Sequence, residues 1–199
     1  HEIDPNFYSG RLIRTADLDN DGDMDVYAIS FNKVAWWENN DGTGLSWTKH
    51  IIDDTITYGN TIIAVDFFGD GKPELVAGTG GSHDRLLWYY NTGASSWPSY
   101  TISDTIGVNR LSYADLDSDG DFDLVCSAAD GVGLIVYENV NIASHIWEDH
   151  FVAALLNSGY SSCADIDGDW DIDIAAGDVA GDSLAWYEND GSGTGWIAH

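Results

Sequence analysis

The chain has 199 residues, 44% hydrophobic and 13% aromatic, enough apolar material to build a core and to exclude disorder. Seven Lys+Arg stand against 34 Asp+Glu, a formal net charge of −27. This excludes a nucleic-acid partner, whose phosphates need a basic face, and it disfavours anionic membranes. No apolar run approaches the length of a membrane-spanning helix, so no membrane insertion is expected.

The first apolar run, residues 12–16, leads into an acidic segment, Asp17-Leu-Asp-Asn-Asp-Gly-Asp-Met-Asp25. Residues 25–29 then read as a strand, 34–38 (VAWWE) as an aromatic strand, 39–44 (NNDGTG) as a turn and 47–52 (WTKHII) as a fourth strand. The same order returns with strands at 61–65, 74–77 and 86–90, again at 123–126 and 134–138, and again at 184–188. Short β-branched and aromatic runs between Gly, Asn and Asp turns are the signature of strands, and no window carries a 3.6-residue period.

Two landmarks keep one register. The leading aspartates Asp17, Asp66, Asp115 and Asp165 are 49, 49 and 50 residues apart. Trp47, Trp97, Trp147 and Trp196 are 50, 50 and 49 apart, each followed three residues later by His50, Tyr100, His150 or His199. Four strands in about 50 residues make one propeller blade, and blades stack because a lone small sheet cannot bury both faces. The expected fold is all-β: a β-propeller of four tandem four-stranded blades, closed as a four-bladed ring or part of a larger ring or assembly. The array runs over 1–199, with units of approximately 1–49, 50–99, 100–149 and 150–199.

The acidic segments follow D-x-D-x-D-G-x-x-D. Calcium is a hard cation that takes six to eight oxygens; carboxylates two residues apart in a curling loop converge on one centre, and glycine permits the sharp turn. The predicted ligands are Asp17, Asp19, Asp21 and Asp25 in the first unit, Asp115, Asp117, Asp119 and Asp123 in the third, and Asp165, Asp167, Asp169 and Asp173 in the fourth. In the fourth, Trp170 stands where glycine is expected. The second copy is degraded: Phe68 replaces a ligand, Lys72 adds a positive charge that partly offsets Asp66, Asp70 and Glu74, and Glu74 replaces the last Asp. About three Ca2+ sites are therefore expected, with calcium acting as a fold clamp. An EF-hand is excluded, because position twelve is Ala28, Cys126 or Ala176 and strands flank the loops.

These loops, with the segments Ala35-Trp-Trp-Glu-Asn and Ala185-Trp-Tyr-Glu-Asn-Asp-Gly, resemble the FG-GAP/VCBS repeat family, the integrin-α-like calcium-binding repeats of secreted bacterial proteins. The resemblance covers essentially the whole chain. It implies calcium-stabilised propellers of extracellular or cell-surface proteins that serve adhesion, bind protein or glycan ligands, or accompany catalytic domains. Propellers of that family usually have seven blades, whereas this chain has four units.

The two ends fall at one point of the repeat. His1-Glu-Ile-Asp matches His50-Ile-Ile-Asp, while the last residues, Trp196-Ile-Ala-His199, match the start of the same strand. The chain opens on His1 without a signal peptide and reads as a processed or excised segment. Three explanations stay open: the ends meet within one chain and close a four-bladed ring, the chain is a piece of a longer array, or the severed strand is completed by another copy, joined head-to-tail through the split terminal strand. Cys126 and Cys163 read as small buried hydrophobes in preference to a disulfide between neighbouring repeats. Alternation along the aromatic strands places one of each adjacent aromatic pair outward, with Trp37, Tyr89 and Tyr90 concerned, either to bind glycan or to cover a neighbour. The chain contains no H-E-x-x-H, G-x-S-x-G or phosphate-binding glycine loop, and the repeated histidines read as structural. The expectation is a non-enzymatic, extracellular, calcium-stabilised module for adhesion, matrix or self-assembly. The alternatives are a lectin-like glycan binder or the propeller domain of a secreted polysaccharide-active enzyme.

Overall fold

Each run of apolar residues between acidic or Gly-rich turns becomes a strand in the computed structural model, which describes residues 1–81, 83–93, 96–129, 131–156 and 158–199. Among these residues, sixteen strands form four antiparallel sheets of four, each a simple up-and-down meander. The first sheet contains β1 (Gly10–Ala16), β2 (Asp25–Ser30), β3 (Val34–Asn39) and β4 (Trp47–Asp53). The second contains β5 (Gly59–Val65), β6 (Glu74–Thr79), β7 (Leu86–Tyr89) and β8 (Ser99–Ser103). The third contains β9 (Val108–Ala114), β10 (Asp123–Ala128), β11 (Leu134–Asn141) and β12 (Ile146–Ala153). The fourth contains β13 (Ser158–Ala164), β14 (Asp173–Asp178), β15 (Ser183–Asn189) and β16 (Trp196–Ala198). One 3-10 turn, Ile142–Ser144, joins β11 to β12; the Asn141 side chain accepts the Ser144 amide at its start.

The blades are grouped in two compact units, His1–Thr105 and Ile106–His199, two blades in each. Within the first, β5 lies against β1 and β2; within the second, β13 lies against β9 and β10. The two cores follow one recipe. Leu18, Tyr27, Ile29, Val34 and Trp36 of the first blade meet Ile62, Leu75, Ala77, Leu87 and Tyr89 of the second, with Ile56 and Trp97 at the margin. Leu116, Val125, Leu134 and Val136 of the third blade meet Ile174, Ala176 and Tyr187 of the fourth, with Leu155 in the place of Ile56. Each large apolar side chain so buried contributes about 1.5–3 kcal/mol. This is why neither blade of a pair can be expected to hold alone.

Of the aromatics that alternation concerned, Trp37 and Tyr89 are covered and Tyr90 is half-buried. Trp36 and Trp37 are 6% and 4% exposed, and Trp88 and Tyr89 are 1% and 0%. Trp36 stacks beneath His50 with ring centres 4.5 Å apart, Trp88 beneath Tyr100 at 4.8 Å, and Trp37 receives the edge of Phe7 at 4.9 Å. The neighbouring outer strand and the N-terminal residues fill the space that alternation alone leaves open. Cys126 and Cys163 are free thiols, and burial pushes both above the ordinary thiol range, so they pack as small hydrophobes. Residues 1–9 form no strand; Asp4 pairs with Lys49 at 2.6 Å and Phe7 sits on the first blade.

Candidate functional site

Every acidic loop links the first strand of a blade to the second, and its final acid is the first residue of that second strand: Asp25, Glu74, Asp123 and Asp173. Burial and hydrogen bonding hold these four in place. Asp25, Asp123 and Asp173 each accept two backbone amides, one from the loop (Leu18, 3.0 Å; Leu116, 2.9 Å; Ile166, 2.9 Å) and one from the third strand (Asn39, Asn139 and Asn189, 2.9 Å each). Glu74 accepts the Phe67 amide at 3.1 Å. At the other end of the loop the leading aspartate accepts the amide five residues on, from Gly22, Gly71, Gly120 or Trp170. The loop therefore curls around its own carboxylates.

That curl needs a left-handed residue at the sixth position, with φ of 94° at Gly22, 96° at Gly120 and 83° at Trp170. Holding a side chain in this region costs about 1–2 kcal/mol, and Trp170, 88% exposed, recovers little by packing. Trp170→Gly is expected to stabilise the protein by about 1 kcal/mol, read as a higher melting temperature, and to tighten metal binding at the fourth loop. A lower melting temperature would show that the indole makes a contact that outweighs the strain.

Three carboxylate groups converge, each with donor oxygens within 4.8 Å of one another: Asp17, Asp19 and Asp25; Asp115, Asp117 and Asp123; Asp165, Asp167 and Asp173. Asp21, Asp119 and Asp169 stand outside these groupings, and each turns one oxygen to the amide two residues on (2.8, 2.8 and 3.0 Å). Burial, with the charges of Asp19 and Asp21 adding to it, pushes the Asp25 carboxyl up to about 6 against the pull of the Asn39 and Leu18 amides. Asp123 rises to about 6 for the same reasons, with Asp117 and Asp119 as the neighbouring charges. Burial also raises Asp19 and Asp117, again helped by neighbouring carboxylates. The donor set is all carboxylate oxygen, and Asp115 Oδ1 is buried without a hydrogen-bond partner among the described residues. These features fit a hard divalent cation, which would supply the missing counter-charge.

The second loop has the same backbone and different chemistry. Phe68 packs on Tyr90 at 5.1 Å, and Asp66, Asp70 and Glu74 form no converging group among the described residues. Lys72 forms no ion pair with these three acids among the described residues; its ammonium stands against Gly93, where any side chain would meet it. The expected offset of charge by Lys72 is thus not made by contact, because the loop directs the lysine toward the next turn. Glu74, 1% exposed, is pushed up to about 7 by burial. A carboxyl raised in the folded state favours folding below its unfolded value, near 4.5, and loses that contribution as pH rises through about 7. In chelator, stability is expected to fall between pH 4.5 and 7 in the wild type and to fall less in Glu74→Gln, as thermal melts across that range will show.

Two elements of the site lie outside the reading of the acidic loops alone. Asparagines at the ends of the aromatic strands latch one blade to the loop of the blade before it. Asn91 Nδ2 donates to the Leu18 carbonyl (2.6 Å) and the Pro73 carbonyl (3.1 Å), and Asn189 Nδ2 donates to Leu116 (2.7 Å) and Ile172 (3.1 Å). The repeated histidines bond glutamates of the neighbouring strand: His50 to Glu38 (2.8 Å), His150 to Glu138 (2.7 Å) and His199 to Glu188 (2.6 Å). The recurring Glu-Asn pair at 38–39, 138–139 and 188–189 was the available signal for the histidine partners and for Asn189; Asn91 follows Tyr90 and lies outside that pattern.

Comparison with known proteins agrees with this geometry. Comparison with curated protein sequences returned no match. Among solved structures, an Agrocybe aegerita lectin, described as recognising non-reducing terminal N-acetylglucosamine, aligns with a TM-score of 0.64 and 18% identity, covering 96% of this chain and 52% of its own. The Vibrio cholerae biofilm matrix protein Bap1 aligns with a TM-score of 0.56 and 19% identity, covering 90% of this chain and 27% of its own. The chain thus spans about half of the lectin and about a quarter of Bap1, and at these identities the likeness is one of fold. The model of the FG-GAP-like repeat matches residues 17–77 and 66–126, each stretch running from one acidic loop into the next blade. With more than half its length matched, and with the loop, the strand order and the closing acid repeated in every blade, the chain belongs to the FG-GAP-like repeat family.

Proposed function

We propose that this chain is a non-catalytic, extracellular binding or assembly module whose blades are clamped by calcium at Asp17, Asp19, Asp21 and Asp25, at Asp115, Asp117, Asp119 and Asp123, and at Asp165, Asp167, Asp169 and Asp173. The observation that carries this reading is the convergence of three carboxylates at the same point of three blades in a chain of net charge −27. Asp21, Asp119 and Asp169 share the same loops, and each would have to give up its bond to the amide two residues on to join its group. Isothermal titration of the metal-free protein with Ca2+ tests it: about three ions per chain are expected, with one site weakened in Asp119→Ala and none in Asp70→Ala. Failure to bind Ca2+ at millimolar concentration would reject the assignment.

The partner we favour is a protein or glycan of an extracellular matrix, or another copy of the chain joined head-to-tail through the split terminal strand. Deleting residues 1–4 should then abolish any multi-chain particle seen by sedimentation, and an unchanged particle size would count against that route. A lectin-like reading draws on a second observation. Tyr160 is 71% exposed beside an open depression of about 630 Å3 lined by Gly159, Asp178, Asp182, Ser183 and Leu184, where a sugar ring could stack on the phenol and bond the exposed Asp182 carboxylate. The fold shared with the N-acetylglucosamine-recognising lectin makes glycans ending in that sugar the first ones to screen.

A further inference from the structure

The third blade carries a donor set chemically unlike the aspartate loops. Glu138 on β11 and Glu148 on β12 stand directly opposite each other in the antiparallel ladder, and His150, two residues along β12, faces the same side. Donor atoms of all three lie within 4.8 Å of one another, with His150 Nε2 at 2.7 Å from Glu138 Oε2. The His–Glu pair recurs in the first and fourth blades, but the third member does not: Thr48 stands opposite Glu38, and Ile197 opposite Glu188.

Two carboxylates directly across a ladder repel. One imidazole cannot balance both, even when protonated. No lysine balances them, and Arg110 is the single Lys or Arg in residues 106–199. Its guanidinium lies 4.5 Å over the Tyr160 ring and donates to the Tyr160 hydroxyl at 3.0 Å. A cation from solution would supply the counter-charge. Glu148 is exposed, and Glu138 and His150 are half-buried, so a small cation has access. An imidazole nitrogen beside two carboxylates suits a borderline divalent ion; calcium, which takes oxygens, gains nothing from the histidine.

The geometry points to a Zn2+-class site formed by Glu138, Glu148 and His150 on the outer strands of the third blade, separate from the aspartate loops and open to solvent on its remaining side. Three protein ligands with an open position leave room for water or for a donor from a partner molecule.

The test is a Zn2+ titration of the full chain in saturating Ca2+, which keeps the aspartate loops occupied, with Co2+ absorption as the report on ligand type. One Zn2+ per chain is expected. Loss of an outer-shell partner already costs a zinc site about 10–100-fold, so Glu148→Thr, the residue of the first blade, is expected to weaken binding by about 100-fold or more. Its zinc-free melting temperature should be unchanged or slightly raised, because an exposed like-charge pair is removed. The reciprocal change, Thr48→Glu, is expected to create a second site with Glu38 and His50. Absence of Zn2+ binding in the wild type, or an affinity that Glu148→Thr leaves unchanged, overturns the proposal.

Discussion

Removing calcium is expected to lower the melting temperature of this protein by on the order of 20 °C. A ligand that binds only the folded state at a hundred times its dissociation constant stabilises by about 2.7 kcal/mol, and three such sites together supply about 8 kcal/mol. For a chain of this size each kcal/mol moves the midpoint by about 2–4 °C. The electrostatics act in the same direction. A net charge of −27 opposes the compact state, and Asp25 and Asp123, raised to about 6, resist ionisation where they are held. The loss should be unequal, because among the described residues Ile106–His199 holds two convergent aspartate groups and His1–Thr105 holds one. Calorimetry in calcium and in chelator measures this directly, and added sodium chloride should restore part of the loss by screening. Identical melts in both conditions would remove calcium from the account of this fold.

Truncating the closing acid is expected to be the most damaging single change. Asp123→Ala leaves the buried amides of Leu116 and Asn139 without an acceptor, at about 1–3 kcal/mol each, so a loss of about 4 kcal/mol is expected in calcium. Asp119→Ala touches only an exposed turn amide and should cost less than about 1 kcal/mol in chelator, its effect emerging only when calcium is added. Glu74→Ala separates the two roles. Glu74 is buried at the same position of a blade without a convergent group, and it takes the Phe67 amide as Asp123 takes that of Leu116. Its removal should destabilise equally with and without calcium. Denaturant unfolding of the three variants in both conditions distinguishes them. Equal costs for Asp119→Ala and Asp123→Ala in chelator would mean that the closing acid is no more than another metal ligand.

Such a dual use would account for the worn second copy. Phe68 and Lys72 have changed the middle of that loop, yet Asp66 still accepts the Gly71 amide and Glu74 still starts the strand from a buried position. What persists is the part that shapes the backbone. The middle of the loop is exposed, and its substitution is expected to alter metal affinity with little effect on packing.

The order of strands, the four-fold repeat and the placement of each acidic loop were determined by the sequence itself, because they rest on local properties: side-chain alternation, turn residues and carboxylate spacing within nine positions. The family likeness was legible for the same reason, since its motif is local. Other features were decided only when distant residues met. Local spacing made Asp21, Asp119 and Asp169 equal to their neighbours, but the turn draws each toward its own backbone amide. Alternation placed one of Trp36 and Trp37 outward, but His50 and Phe7 cover them. Asn189 reaches the Leu116 carbonyl across 73 residues, a bond that no window along the chain contains. The confrontation of Glu138 with Glu148 arises from strand register, which the ladder between β11 and β12 sets and single-strand patterning does not.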